Sequence, residues 1–258
     1  MSSTKIPWAD FTINPWVGCT KCRAGCLNCY AERLAYRLAA MGQENYATVL
    51  DGHKWNGKIA YQMEQLEKLK HWHKPRRVFV GSMTDIFHEK VPFVKIGHVL
   101  ERMYYQNHHT YLIATKRPSR ALEFAKWFAG DKFGLKWADH IHLLISCSTQ
   151  KDLDEMAPVL FQIPAAVRGV SFEPLIEDIK CDWSFRGTLM NDTPDWVVVG
   201  CESGPHRRPC NIEWVRSIVR QGKEAGVAVY VKQLDVGGKV ATDPKDFPAD
   251  LQIREIPK

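Results

Sequence analysis

The stretch Phe11-Thr-Ile-Asn-Pro-Trp-Val17 is followed directly by Gly-Cys19-Thr-Lys-Cys22-Arg-Ala-Gly-Cys26-Leu-Asn-Cys29-Tyr-Ala-Glu32. The first piece alternates like a β-strand, the second is a polar loop with four cysteines, and a helical pattern begins where the loop ends. The same order of strand, polar turn and helix recurs about seven times along the chain. Predicted strands cover 11–17, 77–80, 110–114, 142–145, 167–172, 196–199 and 227–231, and the clearest predicted helices cover 31–41, 58–70, 119–128, 153–161 and 212–224.

This repetition predicts an α/β fold of parallel strands joined by crossover helices. A partial or closed (β/α) barrel of about six to seven parallel strands fits best, and a doubly wound sheet is the alternative. No linker, repeat or low-complexity tract interrupts the chain, so we expect a single domain over 1–258 with the cysteine loop at 18–30. In such barrels the functional residues follow the carboxyl ends of the strands.

Composition narrows the class of protein. The 258 residues are 45% hydrophobic and 25% charged, as in ordinary globular proteins rather than disordered ones. The longest apolar runs are too short to cross a bilayer and the N-terminus has no apolar signal region, so we expect a cytoplasmic protein, in a host cell if a phage encodes it. The net charge of +6 is compatible with a nucleic-acid substrate.

Eight cysteines in a reducing compartment favour metal or redox chemistry over a disulfide framework. Four of them, Cys19, Cys22, Cys26 and Cys29, fall within eleven residues. Four sulfurs would complete a zinc site or an electron-transfer cluster. Three would leave one iron of a four-iron cluster open to a substrate or cofactor. The zinc alternative describes a non-enzymatic nucleic-acid-binding module.

Several motifs resemble a known family, in order from about residue 8 to residue 233. They are Asn14-Pro-Trp-Val-Gly-Cys-Thr-Lys21, Gly25-Cys-Leu-Asn-Cys-Tyr-Ala-Glu-Arg33, Arg76-Arg-Val-Phe-Val-Gly-Ser-Met-Thr-Asp-Ile-Phe-His-Glu89, Thr115-Lys-Arg-Pro118, Ser171-Phe-Glu-Pro-Leu175, Val198-Val-Gly-Cys-Glu-Ser-Gly-Pro205 and Val231-Lys-Gln233. The chain thereby resembles the three-cysteine-motif family of phages and bacteria, a divergent branch of the radical S-adenosylmethionine (AdoMet) superfamily. The resemblance implies a [4Fe–4S] cluster that cleaves AdoMet, with an electron donor such as a flavodoxin.

The family's three cysteines correspond to Cys19, Cys26 and Cys29, whereas the commoner superfamily spacing selects Cys22 in place of Cys19. The aromatic residue that usually precedes the third cysteine is replaced here by Asn28. We therefore predict Cys19, Cys26 and Cys29 as the metal ligands and keep Cys22 as the alternative to Cys19.

Polar residues at the strand ends supply the other predicted site residues. The superfamily binds the amino group of AdoMet where Ser82, Thr84 and Asp85 stand. The carboxylate of AdoMet is assigned to Thr115, Lys116 and Arg117, because arginine suits a bidentate grip. The ribose is assigned to Ser148 and Thr149, and the catalytic, substrate-facing positions are assigned to Glu173 and Glu202.

Arginines near the predicted active-site rim suggest a substrate with phosphates. Arg207 and Arg208 follow a strand and are predicted to bind nucleic acid. Phage proteins that resemble this chain are associated with thymidine hypermodification, which implies DNA carrying modified thymidine as the partner. The implied step isomerises a glycyl group on the thymine methyl carbon from a nitrogen link to a carbon link. A radical AdoMet DNA-lesion lyase and an RNA-modifying enzyme are the alternatives.

Overall fold

A computed structural model describes residues 4, 6–130, 134–181, 183 and 193–257. Its strands are β1 (Phe11–Ile13), β2 (Trp16–Val17), β3 (Leu50–Asp51), β4 (Lys54–Trp55), β5 (Ala60–Tyr61), β6 (Arg77–Val80), β7 (Thr110–Thr115), β8 (Ile141–Ser146), β9 (Arg168–Phe172), β10 (Trp196–Gly200), β11 (Ala228–Val236) and β12 (Lys239–Ala241). Its α-helices are α1 (Tyr30–Ala40), α2 (Glu44–Ala47), α3 (Phe93–Tyr105), α4 (Pro118–Ala129), α5 (Gln150–Leu160) and α6 (Ile212–Glu224). The 3-10 helices are Ala24–Cys26, Met63–His71, Pro244–Asp246 and Ala249–Leu251.

Eight strands form one sheet in the order β1-β6-β7-β8-β9-β10-β11-β12. The pairs β1–β6, β6–β7, β9–β10 and β10–β11 are parallel, and the terminal hairpin β11–β12 of this sheet is antiparallel. Every residue of β8 and of β10 is buried, as expected for strands of a parallel sheet that is covered on both faces. The fold class is therefore α/β with a mostly parallel sheet, and the partial form of barrel is confirmed.

The chain divides into two compact units. The first contains residues 1–22, 29–143 and 163–166, and the second contains residues 23–28, 144–162 and 167–258. The single domain expected over 1–258 stays a prediction. No helix in the described part of the chain has the length and apolar character needed to cross a membrane.

All seven predicted strands are confirmed, with one difference at the first. β1 ends at Ile13 ahead of Asn14-Pro15, and Trp16–Val17 pairs instead with Ala60–Tyr61 as a separate antiparallel ribbon. Proline has no amide hydrogen to donate to a ladder, so the break falls at Pro15. Gly226 follows the end of α6 with a φ of 65°, the left-handed conformation that favours glycine at a helix terminus.

One helix expectation was wrong, and one helix was not predicted. The predicted helix at 58–70 is the strand β5 followed by the 3-10 helix Met63–His71. The helix α3 was missed, although its buried residues have a helical spacing: Ile96, Val99, Leu100 and Met103. The spacing i, i+3, i+4, i+7 is the signal that could have found this helix.

Candidate functional site

The four loop cysteines all keep some exposure. Cys22 is exposed and Cys19, Cys26 and Cys29 are half-buried, and none of these four described residues is in a disulfide. By contrast, burial raises the pKa of the thiols of Cys181, Cys201 and Cys210 to about 12. Among the described residues, no three His, Cys, Asp or Glu side chains are placed so that they could hold one metal ion. The predicted ligand set therefore stays a prediction.

In the first unit, Arg117 anchors the beginning of the cysteine loop. Its Nη1 lies 3.9 Å from Cys19 Sγ, and its Nη2 donates to the backbone oxygen and the hydroxyl of Thr20 at 3.0 and 2.8 Å. The guanidinium is buried. Burial alone would lower the pKa of Arg117, but the negative charges of Asp85, Cys19 and Cys22 raise it above its ordinary value. The side chain therefore presents a permanent positive charge to the first cysteine.

Asp85 in turn fixes Arg117. Its Oδ2 accepts hydrogen bonds from Arg117 Nη1 at 3.3 Å and from the Lys116 amide at 2.9 Å. Its Oδ1 accepts from the Thr115 hydroxyl at 2.8 Å and from the Phe87 amide at 3.0 Å. The structure thus brings together the predicted site residues Asp85, Thr115, Lys116 and Arg117.

Ser82 and Thr84 contact the chain that leads into the loop. Thr84 Oγ1 donates to the Gly18 backbone oxygen at 2.7 Å, and Ser82 Oγ lies 3.2 Å from Asn14 Oδ1. Gly18 has a φ of 102°, and a Cβ there would lie 2.2 Å from the Lys58 backbone oxygen. Only glycine fits this position, which lies directly before Cys19.

A buried histidine next to this network was missed in the sequence. His88 is 1% exposed, and its Nε2 lies 3.0 Å from Thr20 Oγ1. Burial lowers the pKa of His88, as does the nearby charge of Arg117. The adjacent Glu89 accepts from Arg117 Nε at 3.0 Å. The order Asp85-Ile-Phe-His-Glu89, which begins five positions past the predicted strand end at Val80, was the available signal.

In the second unit, the segment that carries Cys26 packs against the loop after β8. A Cβ on the buried Gly25 would lie 2.1 Å from Ser148 Oγ, so a larger residue would force Ser148 to move. Arg23 Nη1 forms ion pairs with Asp152, at 3.5 Å, and with Glu155. The predicted residue Ser148 therefore lies next to Gly25, in the segment that carries Cys26.

Ser148 and Thr149 directly precede α5, and Thr149 is its N-cap. Thr149 Oγ1 accepts from the Asp152 amide at 3.2 Å, and Asp152 Oδ2 accepts from the Ser148 amide at 3.0 Å. This is the reciprocal arrangement that caps a helix N-terminus. The Ser148 hydroxyl is buried and has no hydrogen-bond partner among the described residues.

Glu202 follows β10 and is bound by its neighbours. Its Oε2 accepts from Asn28 Nδ2 at 2.9 Å, from the Arg208 amide at 2.7 Å and from Arg208 Nε at 3.1 Å. Arg208 Nη2 also donates to Glu202 Oε1. Burial alone would raise the pKa of Glu202, but these hydrogen bonds outweigh it and hold the pKa below its usual range. Glu202 is therefore a carboxylate at neutral pH.

Glu173 follows β9 and pairs with a lysine from β11. Lys232 Nζ lies 2.6 Å from Glu173 Oε1, and Ser171 Oγ donates to Glu173 Oε2 at 3.1 Å. Gly200 ends the intervening strand β10, and a Cβ there would lie 3.1 Å from Glu173 Oε1. The missing side chain leaves room for the ion pair to span the strand between its two partners.

The two predicted nucleic-acid-binding arginines both have carboxylate partners. Arg207 Nη2 lies 3.8 Å from Asp235 Oδ1 and donates to the Gly238 backbone oxygen. Arg208 is paired with Glu202, as described above. A phosphate would have to compete with these carboxylates for either guanidinium.

Comparison with known proteins gives a family and one distant structural likeness. Among curated proteins, none matches the chain. A solved structure of a spore photoproduct lyase mutant with bound AdoMet and dinucleoside spore photoproduct is similar at 12% sequence identity and a TM-score of 0.46. The similarity covers 86% of this chain and 63% of the lyase, so the chain spans less than two thirds of that protein's length. Residues 3–246 match the family described as "Protein of unknown function (DUF5131)", and because that match covers nearly the whole chain, the protein belongs to this family.

Proposed function

We propose that the protein is a radical AdoMet enzyme that holds a [4Fe–4S] cluster through Cys19, Cys26 and Cys29, with Cys22 as the alternative to Cys19. The observation that carries this proposal is the state of the cysteine loop. Four cysteines within eleven residues, none of them in a disulfide, all keep some exposure on a loop that follows the first strand of a mostly parallel sheet. Cys147, Cys201 and Cys210, outside the loop, are buried.

The chemistry of this donor set fits such a cluster. Cysteine thiolates are the usual ligands of iron–sulfur clusters, and three of them leave one iron open. The buried charge of Arg117 beside Cys19 Sγ favours the thiolate over the thiol. The chemistry that a bound cluster supplies is one-electron cleavage of AdoMet into methionine and a 5′-deoxyadenosyl radical.

The protein's own residues would orient AdoMet and exclude water. Asp85 and Arg117 offer an anionic and a cationic group side by side, which suits the amino and carboxylate groups of an amino acid. Thr115 and Lys116 donate to Asp85, and Ser82 and Thr84 hold the chain that leads into the loop. The unpartnered hydroxyl of Ser148 is available to a ribose. Glu173, paired with Lys232, is the candidate for contact with substrate.

The proposed substrate is a nucleobase in DNA, and the proposed step isomerises glycyl-thymidine from the nitrogen-linked to the carbon-linked form during hypermodification of phage DNA. Support for this substrate is the resemblance of the motifs described above. A radical suits the step because an unactivated C–H bond must break without a strong acid or base.

Anaerobic reconstitution with iron and sulfide tests the proposal. We expect brown protein with about four irons per chain, and 5′-deoxyadenosine on addition of AdoMet and a reductant. Colourless protein that retains one zinc would contradict it. Cys181→Ala is the matched control, because it removes a thiol outside the loop and should leave the iron content unchanged.

A further inference from the structure

Three side chains of the second unit hold both ends of the segment that carries Cys26. At one end, Arg208 Nη1 donates to the Ala24 backbone oxygen at 3.1 Å. At the other end, Asn28 Nδ2 donates to Glu202 Oε2 at 2.9 Å and to the His206 backbone oxygen at 2.7 Å. Arg208 and Glu202 form an ion pair with each other. Ala24 and Asn28 are therefore both hydrogen-bonded to the same ion pair.

The carboxylate at the centre is already fully engaged. The Glu202 side chain is 3% exposed and accepts four hydrogen bonds, three of them from Arg208. A buried carboxylate with this many donors is held in its ionised form and has little capacity left to take a proton. Glu202 is therefore bound to the cysteine loop, directly through Asn28 and indirectly through Arg208, which contacts Ala24.

These contacts also give Asn28 a physical role. In the radical AdoMet superfamily an aromatic residue usually stands directly before the third cysteine, and an aromatic ring cannot make two such donor contacts. The amide nitrogen of Asn28 uses both of its hydrogens, one for a carboxylate and one for a backbone oxygen. Asn28 thus stands where the superfamily has an aromatic ring and instead binds the segment to Glu202 and His206 by hydrogen bonds.

We infer that Asn28, Glu202 and Arg208 form a clamp, here called the loop clamp, that positions the segment 24–28 for cluster binding. They act as positioning residues through Cys26 and Cys29, rather than as groups that face substrate or phosphate. The part of this inference that concerns the cluster rests on the proposed function. The clamp itself concerns only protein contacts and is measurable without any cluster.

The first experiment therefore uses the cluster-free full chain and measures amide hydrogen exchange over 23–28. Asn28→Asp places a second carboxylate against Glu202, and Arg208→Ala removes the charge and the bond to Ala24. Each should speed exchange over this segment by about tenfold or more, the effect of losing one charge-assisted hydrogen bond. Exchange over 18–21, which Arg117 holds, should not change. Arg207→Ala is the matched control, since Arg207 contacts Asp235 and Gly238 instead of the loop.

A second experiment measures the reconstituted protein. The Asn28→Asp and Arg208→Ala variants should lose iron faster to a chelator and show an altered electron paramagnetic resonance spectrum of the reduced cluster. Arg208→Lys should partly restore both, because an ammonium can still pair with Glu202. Iron loss and spectra are compared at a temperature at which circular dichroism shows every variant to be folded, because removing a partner of the buried Glu202 carboxylate also lowers stability.

The outcomes separate the two ideas. Unchanged exchange over 23–28 in both variants would overturn the clamp, whether or not iron binds. Faster exchange with unchanged iron loss and an unchanged spectrum would overturn the positioning role. A parent protein that takes up no iron would overturn the proposed function, while the exchange measurement would still decide on the clamp.

Discussion

Arg117 donates to the carboxylate of Asp85 at 3.3 Å, and the two side chains are only 7% and 8% exposed. The two residues lie 32 positions apart in sequence and follow neighbouring strands, β6 and β7. This pair holds the strand ends together, and through Arg117 it reaches the backbone of Thr20 in the cysteine loop. The loop is therefore coupled to the sheet by a buried charge.

Loss of either charge in this pair should weaken AdoMet binding. We expect Asp85→Ala and Arg117→Ala to retain iron but lose roughly ten- to a hundred-fold in AdoMet affinity, the effect of one charge-assisted hydrogen bond. Because the residues are in contact, the double variant should fall less than the sum of the single losses. AdoMet titrations of reconstituted protein measure this, with Arg102→Ala as a control on an exposed helix face. Unchanged titrations for both single variants would move the AdoMet site elsewhere.

The same variants should reduce stability. Removing one partner of a buried ion pair leaves the other charge uncompensated, which typically costs about 3–5 kcal/mol. Denaturant titration at neutral pH measures the free energy of unfolding. Arg102→Ala should cost less than about 1 kcal/mol, because its ion pair lies at the surface.

The ligand choice is tested by single cysteine substitutions. Cys26→Ala, Cys29→Ala and Cys19→Ala should each abolish iron binding, since two of the three proposed thiolates cannot hold the cluster. Cys22→Ala should keep it, because the motif that this chain resembles corresponds to Cys19, Cys26 and Cys29 and leaves Cys22 as an extra thiol. Iron and sulfide content after anaerobic reconstitution measures the outcome. If Cys22→Ala loses iron while Cys19→Ala keeps it, the alternative ligand set is correct.

Stability should depend on pH through His109, in the first unit. Burial lowers the pKa of His109 from 6.5 to about 4, and the charges of His108 and Arg76 act in the same direction. Between about pH 6.5 and 4 the unfolded chain binds more protons at this residue, so the free energy of unfolding should fall as the pH falls. His109→Gln should flatten this dependence in denaturant titrations, whereas His98→Gln, at an exposed position, should leave it unchanged. An identical pH dependence in parent and His109→Gln would refute the assignment.

The strands were predictable because each is an apolar run that a covered parallel sheet requires, as in Trp196–Gly200. The strand-end rule also selected Asp85, Arg117 and Glu202 as candidate site residues. Their partners could not be read from the sequence. Arg117 meets Cys19 across 98 residues and Asn28 meets Glu202 across 174, and no local pattern encodes such pairs. A position after a strand end indicates that a side chain belongs to a site, but the contacts of that side chain decide what it does there.

DNA is the partner in the proposed function, and Arg207 and Arg208 should differ in their effects on DNA binding. Each lost phosphate contact lowers the slope of log affinity against log salt by about 0.9 on duplex DNA or about 0.7 on a single strand. Arg207 has a longer ion pair, 3.8 Å to Asp235, whereas Arg208 is bound by Glu202 through several hydrogen bonds. We therefore expect Arg207→Ala to lower the slope of log affinity against log salt by the amount that corresponds to about one lost phosphate contact.

Arg208→Ala should leave that slope nearly unchanged and instead loosen the cysteine loop, because its guanidinium is already occupied by Glu202 and Ala24. Arg216→Ala is the matched control, since Arg216 lies on α6 rather than in this turn and is paired with Asp250 and Glu213. Binding to a fixed oligonucleotide at several salt concentrations measures the slopes. Equal slopes for the parent and all three variants would show that this turn does not contact phosphate. A slope that falls with Arg208→Ala alone would mean that phosphate displaces Glu202, in which case the loop clamp would have to open when DNA binds.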